Sequence, residues 1–195
     1  MYLSATRVVG EMRVVSFDIG TRNLAYAVVE VGADTMTIAE WGLRDLGKKT
    51  NLNDVVPPLT EWLGATFKAW DVVLIENQIG SKMKTIQAVV STYFHVTKLQ
   101  PAQLVTNVAA KLKFAGIETA NMKYADRKKA SVQYVTDRVF GRGDNLSRKA
   151  WFDALKKKDD VSDALMQGIK YCTGVCGLKW DFTWGTRETE AGGSA

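Results

Sequence analysis

Two short apolar runs, RVVSFDI at residues 13–19 and VVLIE at residues 72–76, constrain this chain more than any other feature. Each is continuous, rich in β-branched residues and too short for a helix, so each reads as a buried strand. Each also carries a carboxylate at its C-terminal end, Asp18 and Glu76. A carboxylate cannot stay in an apolar core without a cation or strong donors beside it. The two strands therefore end where the fold opens, and their acids require a positive partner.

The rest of the pattern builds around those strands. Gly20 permits a tight turn, and residues 23–31 (NLAYAVVEV) resume strand composition. Residues 36–43 add a third β-type run, which predicts an opening antiparallel meander. Residues 54–70 place Val55, Leu59, Trp62, Leu63 and Phe67 at helical spacing, with Pro57 and Pro58 tolerable near the start. After Glu76, residues 82–97 form an amphipathic helix bearing Met83, Ile86, Val90, Tyr93 and Phe94, with Ser81 as N-cap. Residues 103–108 predict a fifth strand. Helices over 124–140 and 148–156 flank the loop GRGDNLS, and a last helix spans about 159–172. The order is β-β-β-α-β-α-β-α-α-α: an α/β domain with a mixed five-stranded sheet, three strands antiparallel and then parallel ones, covered by helices. The domain is expected at 12–182, after an extension at 1–11, with Met12 an alternative start. Residues 183–195 are expected as a disordered tail.

With 195 residues and 46% apolar content, the chain has enough material for one compact core. No stretch reaches the ~18 apolar residues of a membrane span. MYLSATRVVGE lacks the layout of a signal peptide, so a soluble intracellular protein is expected. Cys172, Cys176 and the single histidine, His95, have no metal-ligand spacing and read as packing residues.

The net charge of +5 is unevenly spread. Residues 82–158 hold 16 Lys/Arg against 5 Asp/Glu, a local balance of +11, while each flanking segment stands at −3. A basic surface beside an acidic cluster suits a polyanion approaching bound cations. Lys82, Lys84, Lys111, Lys113, Lys123, Arg127, Arg142, Arg148 and Lys149 are the expected DNA contacts in and around this segment.

Asp160 and Asp163, in KKDDVSDAL, complete the acid set. Three positions apart at a helix start, they share a face, with Cβ atoms ~5–6 Å apart. Asp159 lies about 100° round the helix and is expected to face solvent or cap it. Hard oxygen ligands of this kind suit Mg²⁺ or Mn²⁺. Two such ions per site can activate a water and stabilise the leaving 3′-oxygen in phosphodiester cleavage.

With these motifs in order, the chain resembles the RuvC-like Holliday junction resolvases, most closely the branch of poxviruses and other large DNA viruses. The matching stretches are FDIGTRNLAYAVVE, VVLIENQ, SKMKTIQAVVSTYF, YADRKKASVQYV and KKDDVSDALMQG, spanning most of residues 13–170. The resemblance implies a ribonuclease H-like fold, a homodimer and symmetric metal-dependent nicking of four-way or other branched DNA. It implies Asp18, Glu76, Asp160 and Asp163 as metal ligands. It also implies a basic residue at the phosphate, drawn from YADRKK: Lys128 or Lys129. In this family the helix after the Glu strand contributes to dimerisation, here residues 82–97, although from the sequence most of its apolar run, Met83, Ile86, Val90, Tyr93 and Phe94, reads first as monomer core. A viral member would act where viral DNA replicates or in the virion.

Three other readings compete. A ribonuclease H acting on RNA–DNA hybrids has a similar acid pattern. FDIGT also fits the phosphate loop of sugar kinases and actin-like ATPases, but those duplicate the fold and need about twice this length. A non-catalytic junction binder would leave the acids unexplained, since acids near phosphate lower affinity unless they recruit metals.

Overall fold

The computed structural model describes residues 12–33, 35–47, 51–114, 122–141, 146–177 and 182–184. Its strands are β1 (Met12–Ile19), β2 (Asn23–Val31), β3 (Met36–Asp45), β4 (Val72–Glu76), β5 (Leu104–Val108) and β6 (Phe182–Trp184). Its helices are α1 (Leu52–Thr66), α2 (Ser81–Val96), α3 (Tyr124–Val139), α4 (Leu146–Ala154) and α5 (Lys158–Cys176), with a 3-10 turn at Ala110–Phe114. The sheet order is β5-β4-β1-β2-β3-β6.

β1 is central, antiparallel to β2 and parallel to β4. β3 is antiparallel to β2, and β5 runs parallel to β4. This is the ribonuclease H-like arrangement, a mixed sheet with helices on both faces. Both faces of β1 are buried, as its unbroken apolar run requires. Val15 and Phe17 pack with Leu59, Leu63, Val90 and Phe94 of α1 and α2. Val14 joins the opposite core, with Val135 of α3, Phe152 of α4 and Leu165 and Ile169 of α5.

One expectation changes. The sheet has six strands rather than five, because Phe182–Trp184 pairs in parallel with Met36–Ile38 of β3. Thr183 and Trp184 therefore belong to a strand rather than to a patternless tail; three residues are too few to show a period. The remainder of that tail and the extension at 1–11 lie outside the described residues. On α2, Ile86, Val90 and Phe94 are buried in the monomer core, so only the opposite face of that helix is open to a second copy.

Candidate active site

Strand alternation aims the first two acids. On β1, Val14 and Ser16 face α5, and Asp18 continues that side. On β4, Val72 and Leu74 belong to the same core and Glu76 follows them. Both acids thus end parallel strands at their carboxyl edge, where open sheets bind ligands. α5 starts over the same edge. Its first turn is acidic, as the helix dipole favours, and Asp160, Asp163 and Gln167 share one face.

Three contacts hold α5 in place. Gln167 Nε2 donates to Ser16 Oγ at 3.0 Å and to the Phe17 carbonyl at 3.3 Å. Gly168 lies so close to β1 that a Cβ there would sit 3.4 Å from Ser16 Cβ. Trp41 Nε1 donates to the Val161 carbonyl at 2.7 Å, fixing the opening turns against β3.

Asp18, Glu76, Asp160 and Asp163 line one cavity of about 760 Å³. Lys113, from the 3-10 turn, lines it with them. Its Nζ lies 2.9 Å from Glu76 Oε2 and 2.5 Å from Asp163 Oδ2. All three residues are at most 8% exposed. Among the described residues no three metal-ligating side chains form a ready ligand set. Between Glu76 and Asp163 the place of a cation is taken by the Lys113 ammonium.

One ammonium does not neutralise this cluster. Burial, then the charge of Glu76, pushes the Asp18 carboxyl up to about 8, so it holds its proton at neutral pH. Burial raises Glu76 as well, against the lowering pull of Lys113. Asp160 is raised by burial and next by Asp159. Burial works to lower Lys113, but the charges of Asp163 and Glu76 outweigh it and hold the ammonium above its usual range. Asp163 Oδ1 is buried with no hydrogen-bond partner among the described residues. The cavity has oxygen donors to spare and too little positive charge.

The basic residues divide. Lys111, Arg127 and Lys128 line the cavity, whereas Lys129 is exposed on α3 and does not. Lys123 is exposed at the N-cap of α3. Lys82 and Lys84 are exposed in the first turn of α2, with Lys84 on a separate groove beside Asn77 and Gln87. Arg148 borders a cleft with Trp41 and Trp151, and Lys149 pairs with Asp153 at 2.5 Å within α4. Arg142 lies outside the described residues.

Two residues differ from expectation. Lys113 was expected as a surface DNA contact, but the acids draw it inward, because two buried carboxylates need a cation more than solvent does. Asp159 was expected to face solvent or cap the helix; instead its side chain is 17% exposed and ion-paired with Lys128. Lys157 also lines the cavity and was not among the expected contacts. Its place in the lysine run just before the Asp159–Asp160 pair was the available signal.

Known proteins match this fold. Fowlpox virus resolvase, solved with substrate Holliday junction DNA, superposes with a TM-score of 0.60 at 19% identity, covering 84% of this chain and 99% of that one. The fowlpox virus Holliday junction resolvase in a second structure gives 0.56 at 18% identity, with the same coverage. Thermus thermophilus RuvC with a Holliday junction substrate gives 0.52 at 12%, covering 84% of this chain and 97% of that one. At such identities the likeness shows the fold. No curated protein sequence matches the chain. Residues 12–174, nearly all of the described fold, match the family described as Poxvirus A22 protein. The chain belongs to that family.

Proposed function

We propose that this protein is a structure-selective endonuclease that resolves four-way DNA by metal-dependent nicking of opposed strands. The observation that carries the reading is the single cavity with four acids on its floor and lysines on its rim. An uncharged substrate has no use for such a rim, and phosphate would be repelled by such a floor unless cations intervene. The fowlpox and Thermus proteins, solved with junction DNA, support the choice of substrate.

The residues suit Mg²⁺ or Mn²⁺. Asp18, Glu76, Asp160 and Asp163 offer hard oxygens, one of them, Asp163 Oδ1, buried without a partner among the described residues. Asp18 keeps a proton that a divalent ion would displace. Two ions bound there would supply an activated water and stabilise the leaving 3′-oxygen. The chain's own groups do the remainder. Lys113 holds Glu76 and Asp163 in a fixed relation before any ion arrives, and must give way when one does. Lys111 and Arg127 at the rim bind backbone phosphates. Lys128, which lines the cavity, would stabilise the charge that develops on the scissile phosphate.

A four-way junction has approximate two-fold symmetry, so a homodimer can cut one strand of each opposed pair. The outward face of α2 is the surface through which a second copy would dock. No helix among the described residues is long and apolar enough to cross a membrane.

Labelled synthetic four-way DNA, linear duplex and RNA–DNA hybrid, each with Mg²⁺ or EDTA, test the proposal. Paired symmetric nicks confined to the junction and abolished by EDTA are expected. Cleavage of the hybrid alone, or cleavage that survives EDTA, refutes it.

A further inference from the structure

Lys128 reaches the rim of the acid-floored cavity, but Asp159 does not line it. Asp159 Oδ2 accepts a hydrogen bond from Lys128 Nζ. Nζ also lies 5.2 Å from the ring centre of Tyr124, one turn earlier on α3. The ammonium is thus held by two partners, a carboxylate of α5 and an aromatic ring of its own helix. A lysine on a flexible four-carbon stem otherwise spreads over many rotamers.

We propose that Asp159 is a positioning residue that holds the Lys128 ammonium toward the scissile phosphate. The proposal rests on the endonuclease reading above and adds a role for a residue that does not itself line the cavity. A helix-start acid is favoured by the dipole at any position of the first turn, so the dipole explains an acid. It does not explain a partner on a different helix, 31 residues away in sequence. Nor does Asp159 share the Asp160–Asp163 face, so it is no substitute for either.

This arrangement carries a distinctive signature. A carboxylate close to the path of DNA weakens binding, because it cancels one of the positive charges that displace counterions. Asp159 therefore acts against affinity while it acts for turnover. Removing it should move the two in opposite directions, which loss of structure does not do.

The experiment is single-turnover cleavage of synthetic four-way DNA in Mg²⁺, alongside junction binding by fluorescence anisotropy in EDTA and Mn²⁺ binding by calorimetry. The variants are Asp159→Asn, Asp159→Glu, Lys128→Met and the Asp159→Asn/Lys128→Met pair. For Asp159→Asn, a rate loss of roughly ten- to hundredfold is expected, as for a displaced catalytic group. Its junction affinity should be unchanged or tighter, and its Mn²⁺ affinity should stay within a fewfold of the parent, since Asp159 touches the ligand Asp160 without lining the cavity. The double variant should be no slower than Lys128→Met, and Asp159→Glu should recover part of the rate. If Asp159→Asn is unstable, Asp159→Ser, which suits a helix start, takes its place. A rate within twofold of the parent, additive losses in the double variant, or lost Mn²⁺ binding overturns the proposal, the last by making Asp159 a ligand. If the parent protein leaves four-way DNA uncut, the endonuclease reading fails instead.

Discussion

Replacing Lys113 with methionine removes the ammonium that bridges Glu76 and Asp163 and leaves the volume nearly filled. The three side chains are 9%, 10% and 11% exposed, so water replaces little of what is lost. Breaking a buried pair by deleting one partner costs about 3–5 kcal/mol. Glu76, whose carboxyl burial already raises, has an escape, which is to take up a proton. For a carboxyl of ordinary pKa near 4.3, that uptake costs about 5 kcal/mol at pH 8 but only about 1 kcal/mol at pH 5, at 1.36 kcal/mol per unit. Lys113→Met should therefore be destabilised by about 3–5 kcal/mol at pH 8 and about 1 kcal/mol at pH 5. For a chain of this size the pH 8 value corresponds to a fall in melting temperature of roughly 6–20 °C. Divalent ions should restore part of it, since a ligand at 100 times its Kd adds about 2.7 kcal/mol. Thermal unfolding in EDTA and in Mg²⁺, at both pH values, reads all of this. Lys149→Met is the control: its partner Asp153 is 51% exposed, and such pairs contribute about 0.2–1 kcal/mol. A Lys113→Met protein that melts within about 2 °C of the parent at pH 8, or loses as much at pH 5, would refute the account of a charge-starved cavity.

Asp18 predicts a pH dependence of the metal-free protein. Its folded pKa of about 8 lies above the ordinary value of 3.8, so between those limits the folded state holds a proton the unfolded chain has released. Stability in EDTA should fall as pH rises from 4 to 8, by at most about 1.4 kcal/mol per unit, and Asp18→Asn should flatten the slope in urea titrations. Asp18→Asn and Glu76→Gln should abolish junction cleavage while leaving junction affinity within a fewfold of the parent in a mobility-shift assay; equal loss of both would assign these acids to folding. Trp41→Phe takes the indole donor from the buried Val161 carbonyl and should cost about 0.5–1.5 kcal/mol by urea unfolding. Because that carbonyl lies between Asp160 and Asp163, cleavage should fall as well, and an unchanged rate would separate the indole from the site.

The acids were legible because burial makes a carboxylate conspicuous. Asp18 and Glu76 end apolar runs that no surface turn explains, and Asp160 with Asp163 keep helical spacing. The element order was legible for the same reason, since periodicity is local. Lys113 was not. It lies in a stretch with eleven excess positive charges, and nothing in its neighbours distinguishes an inward lysine from an outward one. Its position is fixed by Glu76 and Asp163, 37 and 50 residues away. Asp159 failed differently: a helical-wheel argument sees only its own helix, and its partner comes from α3. β6 was too short to leave a period, and its place at the edge of β3 depends on tertiary pairing.

The polarity of the sheet has an engineering consequence. Asp18, Glu76 and the start of α5 all gather at one pole, near Asn23, where β2 begins. Over its nine residues β2 carries the chain about 30 Å away, at ~3.3 Å per residue, to Val31 and the turn at Gly32. That turn borders neither the cavity nor the outward face of α2. A fluorophore or an inserted peptide tag at Ala33 would report on each subunit from a distance, leaving chemistry and pairing undisturbed.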